Sequence, residues 1–463
     1  MENTLNKTKQ NKMGVMPVGR LMFGMAVPLV VSMLVQAFYN VVDSFFVARI
    51  GNSELEAVSL AYPIQMLMIS VSVGTAVGMN AYISRKLGAG DNAAANKGAA
   101  NGIMLLFISS LVFVILSFVI RPFFRIFTGD ATLVDLGVRY LRICMLFCPG
   151  LFIQLGLERI LQSMGKNGLA MLTQLLGAIT NIILDPLLIF GIGPFPQLGV
   201  EGAAIATVIG QWLAMGLALV LVLGKSHEVR LSYKNFRPCG ETVREIYRVG
   251  VPSIILQAIG SVMNIGMNTI FSRVLAGEGG GVAIMGVYFK VQSLIFMPIF
   301  GVTNASMSII AYNYGAKNRL RLIRAWKLTL MITLAVMFVG MVVFQIFPDK
   351  IIALFDKDGS ITSGGKAAFR IVSLSFMLAA ASITNSITFG ALGRGSASMV
   401  MSILRQLGVL LPAALILALT FKKVEAVWWS FFIAEFAALA FSLFMLRRVW
   451  KKDISHLPDG ASV

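Results

Sequence analysis

The chain has 463 residues, 57% of them hydrophobic and only 13% charged, with a formal net charge of +18 and a mean hydropathy of +0.81. Soluble domains carry roughly 25% charged residues, so a soluble fold of this length is excluded, and the alternating ten-residue segments of a membrane β-barrel are absent. Nucleic-acid binding is also excluded as the meaning of the basic excess, because Lys and Arg sit in short connections between apolar runs, where topology signals belong, and form no continuous stripe.

A polar, basic tail, residues 1–20, opens the chain. The apolar run behind it is too long for a signal-peptide core and contains Asp43, which predicts a retained first membrane helix. A bilayer is crossed by about 20 apolar residues, and twelve runs of that kind follow in order. They lie near 21–47, 57–83, 98–120, 132–157, 168–192, 201–223, 246–272, 282–312, 325–347, 367–391, 396–420 and 425–446. The expected fold is an all-α polytopic membrane protein with a six-helix lobe over 21–224, a cytoplasmic linker over 225–245, a second six-helix lobe over 246–450, and a cytoplasmic tail over 451–463. An even number of spans places both termini on one side. Roughly two-thirds of the Lys and Arg in the connections lie there, which predicts cytoplasmic termini in an inner or plasma membrane.

Ionisable groups inside spans are costly and mark function by default. In the first span Gln36, Tyr39, Asn40 and Asp43 form a polar stripe at helical spacing. Asp43 lies toward the external end, so it reads either as an ion-coupling group or as an interfacial carboxylate. Cys144 and Cys148, four apart in the fourth span, are expected to share a helix face as core residues, and Cys239 falls in a polar connection; nothing suggests a disulfide framework. The fifth span holds Asn181 and Asp185, four apart, followed by Pro186, which cannot donate to the carbonyl of Ile182. A carboxylate, an amide and a freed carbonyl suit a small hard cation, and burial there favours the neutral acid. The bland alternative is an Asp that satisfies a proline kink. Thr207 and Gln211 in the sixth span are placed to complete an oxygen cluster.

The second half contributes Asn264, Lys290, Arg405 and Glu435 inside spans. Glu435 reads as a second protonation site or as a structural partner of Arg405. Gly277-Glu-Gly-Gly-Gly281 lacks the Lys of a nucleotide-binding loop and reads as a turn, so the work is expected to come from an ion gradient. His227 and His456 stand apart in polar segments, which argues against a membrane-embedded enzyme.

The halves repeat. Val27-Pro28 corresponds to Val251-Pro252, Leu87-Gly-Ala-Gly-Asp91 to Tyr314-Gly-Ala-Lys-Asn318, and Met164-Gly-Lys-Asn-Gly168 to Leu392-Gly-Arg-Gly-Ser396. Six spans per copy keep the two lobes parallel, related by a pseudo-two-fold axis along the membrane normal, an arrangement of alternating-access transporters. Neither Asp43 nor Asp185 is duplicated, so ion coupling is expected in the first lobe and apolar walls in the second.

Taken together, Tyr39-Asn-Val-Val-Asp43, Leu87-Gly-Ala-Gly-Asp91, Asn181-Ile-Ile-Leu-Asp185-Pro186, Gly202-Ala-Ala-Ile-Ala-Thr207, Gly301-Val-Thr-Asn-Ala-Ser306 and Tyr312-Asn-Tyr-Gly-Ala316 resemble the multidrug and toxic compound extrusion (MATE) family, over about residues 20 to 450. Within it, the stretch from Asn181 to Gly191 and Ile433-Ala-Glu435 are most similar to a staphylococcal branch. The resemblance implies a two-lobed twelve-helix transporter, not an enzyme, that exports small, often cationic and amphipathic compounds by antiport with protons or sodium ions. It implies a proton or Na⁺ site at Asp43, Asn181, Asp185 and Thr207, with no cofactor and no structural metal. The candidate substrate cavity comprises Gln36, Tyr39, Asn40, Gln211, Asn264 and Glu435. Expected partners are drug-like molecules and membrane lipids, with no nucleic acid, and the working unit is expected to be a monomer. The alternative is a lipid-linked sugar flippase of related architecture, which would need several cavity-facing basic residues.

Overall fold

The computed structural model describes residues 11–224, 228–232, 235–275, 280–353 and 362–459, with the side chains of residues 40, 41, 44, 48, 52, 127, 362 and 363 outside that set. Among the described residues the regular structure is helical, apart from an isolated bridge between Asn318 and Asp459, and short turns and irregular connections join the helices. Ten helices are long and apolar enough to cross a membrane, and twelve spans result when two bent pairs each count as one. This is the twelve-span count expected from hydropathy. Continuous helix is what a bilayer demands, because no water is available there to satisfy a free peptide group.

The first lobe contains Val18–Ala48, Asn52–Gly88, Asn92–Leu116, the pair Ala131–Leu146 and Pro149–Ser163, Asn167–Phe190, and Val200–Leu223. The second contains Gly240–Thr269, Gly281–Gly315, Arg319–Ile346, the pair Thr362–Ser373 and Phe376–Ala391, then Gly395–Phe421 and Val424–Ile454. The fourth and tenth spans bend at matching places, by 45° and 47°. The fourth breaks between Leu146 and Pro149, so Cys144 and Cys148 do not share a continuous helix face as their spacing suggested; both are buried and free. The Gly277-Glu-Gly-Gly-Gly281 motif and His227 fall largely outside the described residues.

The repeat is visible in the caps. Asp91 accepts a hydrogen bond from the Ala94 amide at the start of the third span (2.9 Å). Asn318, its counterpart, accepts one from the Arg321 amide at the start of the ninth (3.1 Å). The residue before each cap is left-handed: Gly90 at φ 75° and Lys317 at φ 53°. Lysine tolerates that region at a cost that glycine avoids.

Three apolar clusters hold the molecule. One lies within the first lobe, with Phe113, Leu141, Phe152 and Leu161 near its centre. A second, richer in aromatic rings, lies within the second lobe around Tyr288, Phe344, Phe369 and Trp428. The third joins the two through Met13, Met25, Ala81, Val249, Ile309, Leu392 and Val449. It lies at the end carrying both termini, where the Arg319 amide bonds the Pro458 carbonyl (3.2 Å) and the Arg321 guanidinium bonds the Met13 carbonyl (3.0 Å). Here the first span packs on the eighth and the second on the seventh. Glycines permit the approach: Gly88 lies against the Tyr312 carbonyl and Gly315 against the Arg85 carbonyl, leaving no room for a Cβ. Small residues at such crossings let backbones come close enough for dispersion to hold helices together in lipid.

Candidate functional site

Asn181 and Asp185 lie one turn apart on the fifth span and are 3% and 0% exposed. The Asn181 amide donates from Nδ2 to Asp185 Oδ1 and to Thr207 Oγ1 of the sixth span, each at 3.2 Å. From the first span Asp43 brings its carboxyl within hydrogen-bonding reach of Asp185, and Tyr39 lies close enough to both to feel their charge. The four residues expected to form an ion site are therefore gathered by three helices. Asp43 Oδ1, Asn181 Oδ1 and Asp185 Oδ2 are buried with no hydrogen-bond partner. Unsatisfied buried oxygens are expensive, and three of them around two carboxyls make a donor set that fits a proton or a small hard cation. Gln65 of the second span closes the surroundings by donating to the Tyr140 hydroxyl (3.1 Å).

The cluster opens into a cavity of about 90 Å³ lined by Gln36, Tyr39, Gln154, Glu158, Gln174, Asn181, Thr207 and Gln211. Of the expected cavity residues, Gln36, Tyr39 and Gln211 are here. The side chain of Asn40 lies outside those described. Asn264 and Glu435 are in the other lobe: Asn264 accepts a bond from Asn268 (3.3 Å), and Glu435 accepts one from Arg405 (3.1 Å). The second lobe is thus not walled by apolar groups alone, as the repeat suggested.

Glu158 is absent from the residues singled out by sequence. The apolar run of the fourth span ends at 157, one residue short of it. The helix continues to Ser163, and the carboxylate is 1% exposed. It accepts bonds from Gln154 (3.0 Å), Thr173 (3.0 Å) and Gln174 (2.7 Å). Gln154 and Glu158, four apart, carried the signal. Beside Glu158, Arg159 reaches the opposite way, to Gln162 (2.9 Å) and to Asn304 of the eighth span (3.0 Å). Among the described residues no group of three or more His, Cys, Asp or Glu could hold a structural metal.

Comparison with known proteins agrees with this architecture. The MatE family model matches the chain twice, over residues 28–187 and 252–416, beginning at the two prolines of the repeat. The chain belongs to the MatE family. As a MATE protein it is a multi-pass membrane transporter, not an enzyme. A multidrug export protein, MepA, of Staphylococcus saprophyticus is 26% identical over 445 residues, covering 95% of this chain and 96% of the relative. A FAD transporter of Shewanella oneidensis is 24% identical over 399 residues, covering 86% and 88%. A crystal structure of a MATE in complex with MaL6 superposes with a TM-score of 0.89 at 26% identity, over 95% of this chain and 98% of the other. The two-lobed fold of this MATE is therefore shared over nearly its whole length.

Proposed function

We propose that this MATE protein exports small organic, often cationic and amphipathic compounds across the plasma or inner membrane by antiport with protons, working as a monomer with both termini cytoplasmic. The observation that carries the reading is the approach of the Asp43 and Asp185 carboxyls to one another beside Asn181 and Thr207, which line the first-lobe cavity. Two carboxyls in contact inside a membrane cannot both remain ionised; they hold a shared proton or a cation between them. Asn181 donates from Nδ2 to Asp185, a bond that the carboxyl keeps while it shares a proton with Asp43. Were Na⁺ bound instead, Asp43, Asp185, Thr207 and a reoriented Asn181 would hold it through oxygen.

In this scheme Glu158 faces an organic cation in the cavity, while Asn181 and Thr207 line both the cavity and the proton site. Proton entry and substrate occupancy then oppose each other through shared residues. Each shifts the balance between states open to opposite sides. The glycine-packed end corresponds to the closed cytoplasmic side. A flippase for sugar pyrophosphates is disfavoured, since no Lys or Arg is among the residues lining the cavity.

The test is ethidium transport in proteoliposomes under a pH gradient or a sodium gradient imposed separately. The pH gradient alone should drive it, and Asp185→Asn should abolish it while the protein still elutes as a single folded species. Transport driven by sodium alone would replace the proton with Na⁺; undiminished transport by Asp185→Asn would overturn the site.

A further inference from the structure

We propose that the second lobe carries an anion-binding centre at Arg405, closed by Glu435 and opened when Glu435 takes up a proton, whose ligands are small organic carboxylates. This goes beyond the exporter reading, and its test involves neither cation transport nor the first lobe.

Two ion pairs of the second lobe show what a structural pair looks like and what this one lacks. At the end carrying the termini, Arg394 holds Asp453 with both prongs, Nε to Oδ2 at 3.1 Å and Nη2 to Oδ1 at 2.8 Å. That is the two-point geometry that makes arginine–carboxylate pairs strong and fixed. Within the membrane, Arg405 holds Glu435 by a single bond, Nη1 to Oε1 at 3.1 Å. Glu435 Oε2 is buried without a partner. Among the described residues the remaining N–H groups of Arg405 have no partner either, and the side chain keeps 20% of its surface accessible. A guanidinium in a membrane is costly unless its donors are used. A pair selected for stability alone would use the second carboxylate oxygen and the free fork. This pair leaves a donor fork accessible, and the Trp428 Nε1 donor of the neighbouring ring cluster is buried without a partner as well.

Local structure points the same way. Arg405 lies in a π-helical turn, Leu404–Leu410, within an otherwise α-helical span. Such turns weaken the helix and occur frequently at functional sites. Tyr288 of the eighth span lies close to both Arg405 and Glu435. Its ring packs edge-on against Phe431 and Trp428, with centroids 5.8 Å and 6.0 Å away. These rings are themselves buried and keep the ion pair in apolar surroundings, where the pull of a cation on a carboxylate is stronger than in water.

The charges fix the linkage. With Glu435 ionised the pair is neutral and Glu435 is the resident anion of Arg405. Protonation of Glu435 leaves one uncompensated cation, which a ligand carboxylate neutralises. Proton and anion therefore bind together, each favouring the other by the same factor. The groups facing Glu435 are Arg405 from the eleventh span and Tyr288 from the eighth, and a phenol ordinarily ionises only at about pH 10.

Isothermal titration calorimetry of 2-naphthoate into the purified full chain, in two buffers of different ionisation enthalpy, tests this. The wild type should take up about one proton per bound anion, with affinity rising toward the limit of roughly tenfold per pH unit lowered between pH 7.5 and pH 6. Glu435→Gln should bind at both pH values without proton uptake. Arg405→Gln should not bind, and Arg405→Lys should recover part of the affinity. Absence of binding to the wild type at pH 6, binding without proton uptake, or full binding by a folded Arg405→Gln would overturn the proposal. Should Arg405→Gln fail to fold, the gain of binding at pH 7.5 in Glu435→Gln decides alone, since misfolding does not create it.

Discussion

The two lobes share six spans, a bend and a pair of caps, yet they hold their buried charge in opposite ways. The first lobe brings two carboxyls together beside an amide and a hydroxyl, and holds Glu158 separately among Gln154, Thr173 and Gln174. The second pairs one cation with one carboxylate and encloses them in aromatic rings. The shared scaffold therefore fixes where helices cross and bend, while a few residues on facing surfaces set the charge that each lobe buries. Pro186 follows Asp185 in the fifth span, whereas in the eleventh Pro412 follows Leu411. The proline is common to the two spans and the carboxylate is not.

The contrast breaks most sharply at Asp185. Asp185→Asn removes one of the two touching acids and should lower pH-driven ethidium transport by about a hundredfold or more, since a lone carboxylate no longer has to share a proton. Transport assays in proteoliposomes read this directly. Next in size is the closed end common to both lobes. Gly88→Val drives a side chain into the Tyr312 carbonyl, and overpacking of that kind costs about 1–3 kcal/mol. The state closed at the termini should be depleted, and a cysteine pair across the second and eighth spans should crosslink more slowly. Glu158→Gln keeps the size of the side chain and removes the charge. It should raise KM for ethidium by about tenfold, the worth of one charge-assisted contact, and leave a neutral substrate nearly unaffected. An equal loss for charged and neutral substrates would show that Glu158 only holds the fourth and fifth spans together. The smallest effect is expected at Arg394→Ala. Its pair with Asp453 is well formed but Arg394 is about a third exposed, so solvent screening limits the loss to about 1 kcal/mol, measurable as a modest fall in Tm.

Much of this arrangement is legible in the chain. Apolar runs delimit the twelve spans because the bilayer sets one length for all of them. Asn181 and Asp185 are visible as a pair because their spacing is helical, and Asp43 because a carboxylate has no ordinary place in such a run. What sequence hides is whatever depends on the partner helix. Nothing local tells that Asp43 meets Asp185, and the sequence offers the pairing of Arg405 with Glu435, thirty positions later, only as one of two readings. Glu158 was missed for a different reason: hydropathy ends a span where polarity rises, whereas the backbone continues as helix as long as its polar groups find partners inside the protein. The breaks at 147–148 and 374–375 escaped notice because either bent segment is apolar enough to be read as one rod.

The start of the chain has a mechanical consequence. Asn11 bonds Glu228 in the connection between the lobes (2.5 Å), Met13 is fully buried, and Arg321 grips the Met13 and Met16 carbonyls. This short turn works as a rivet through the inter-lobe hinge region, so prising the lobes apart on that side first requires drawing it out.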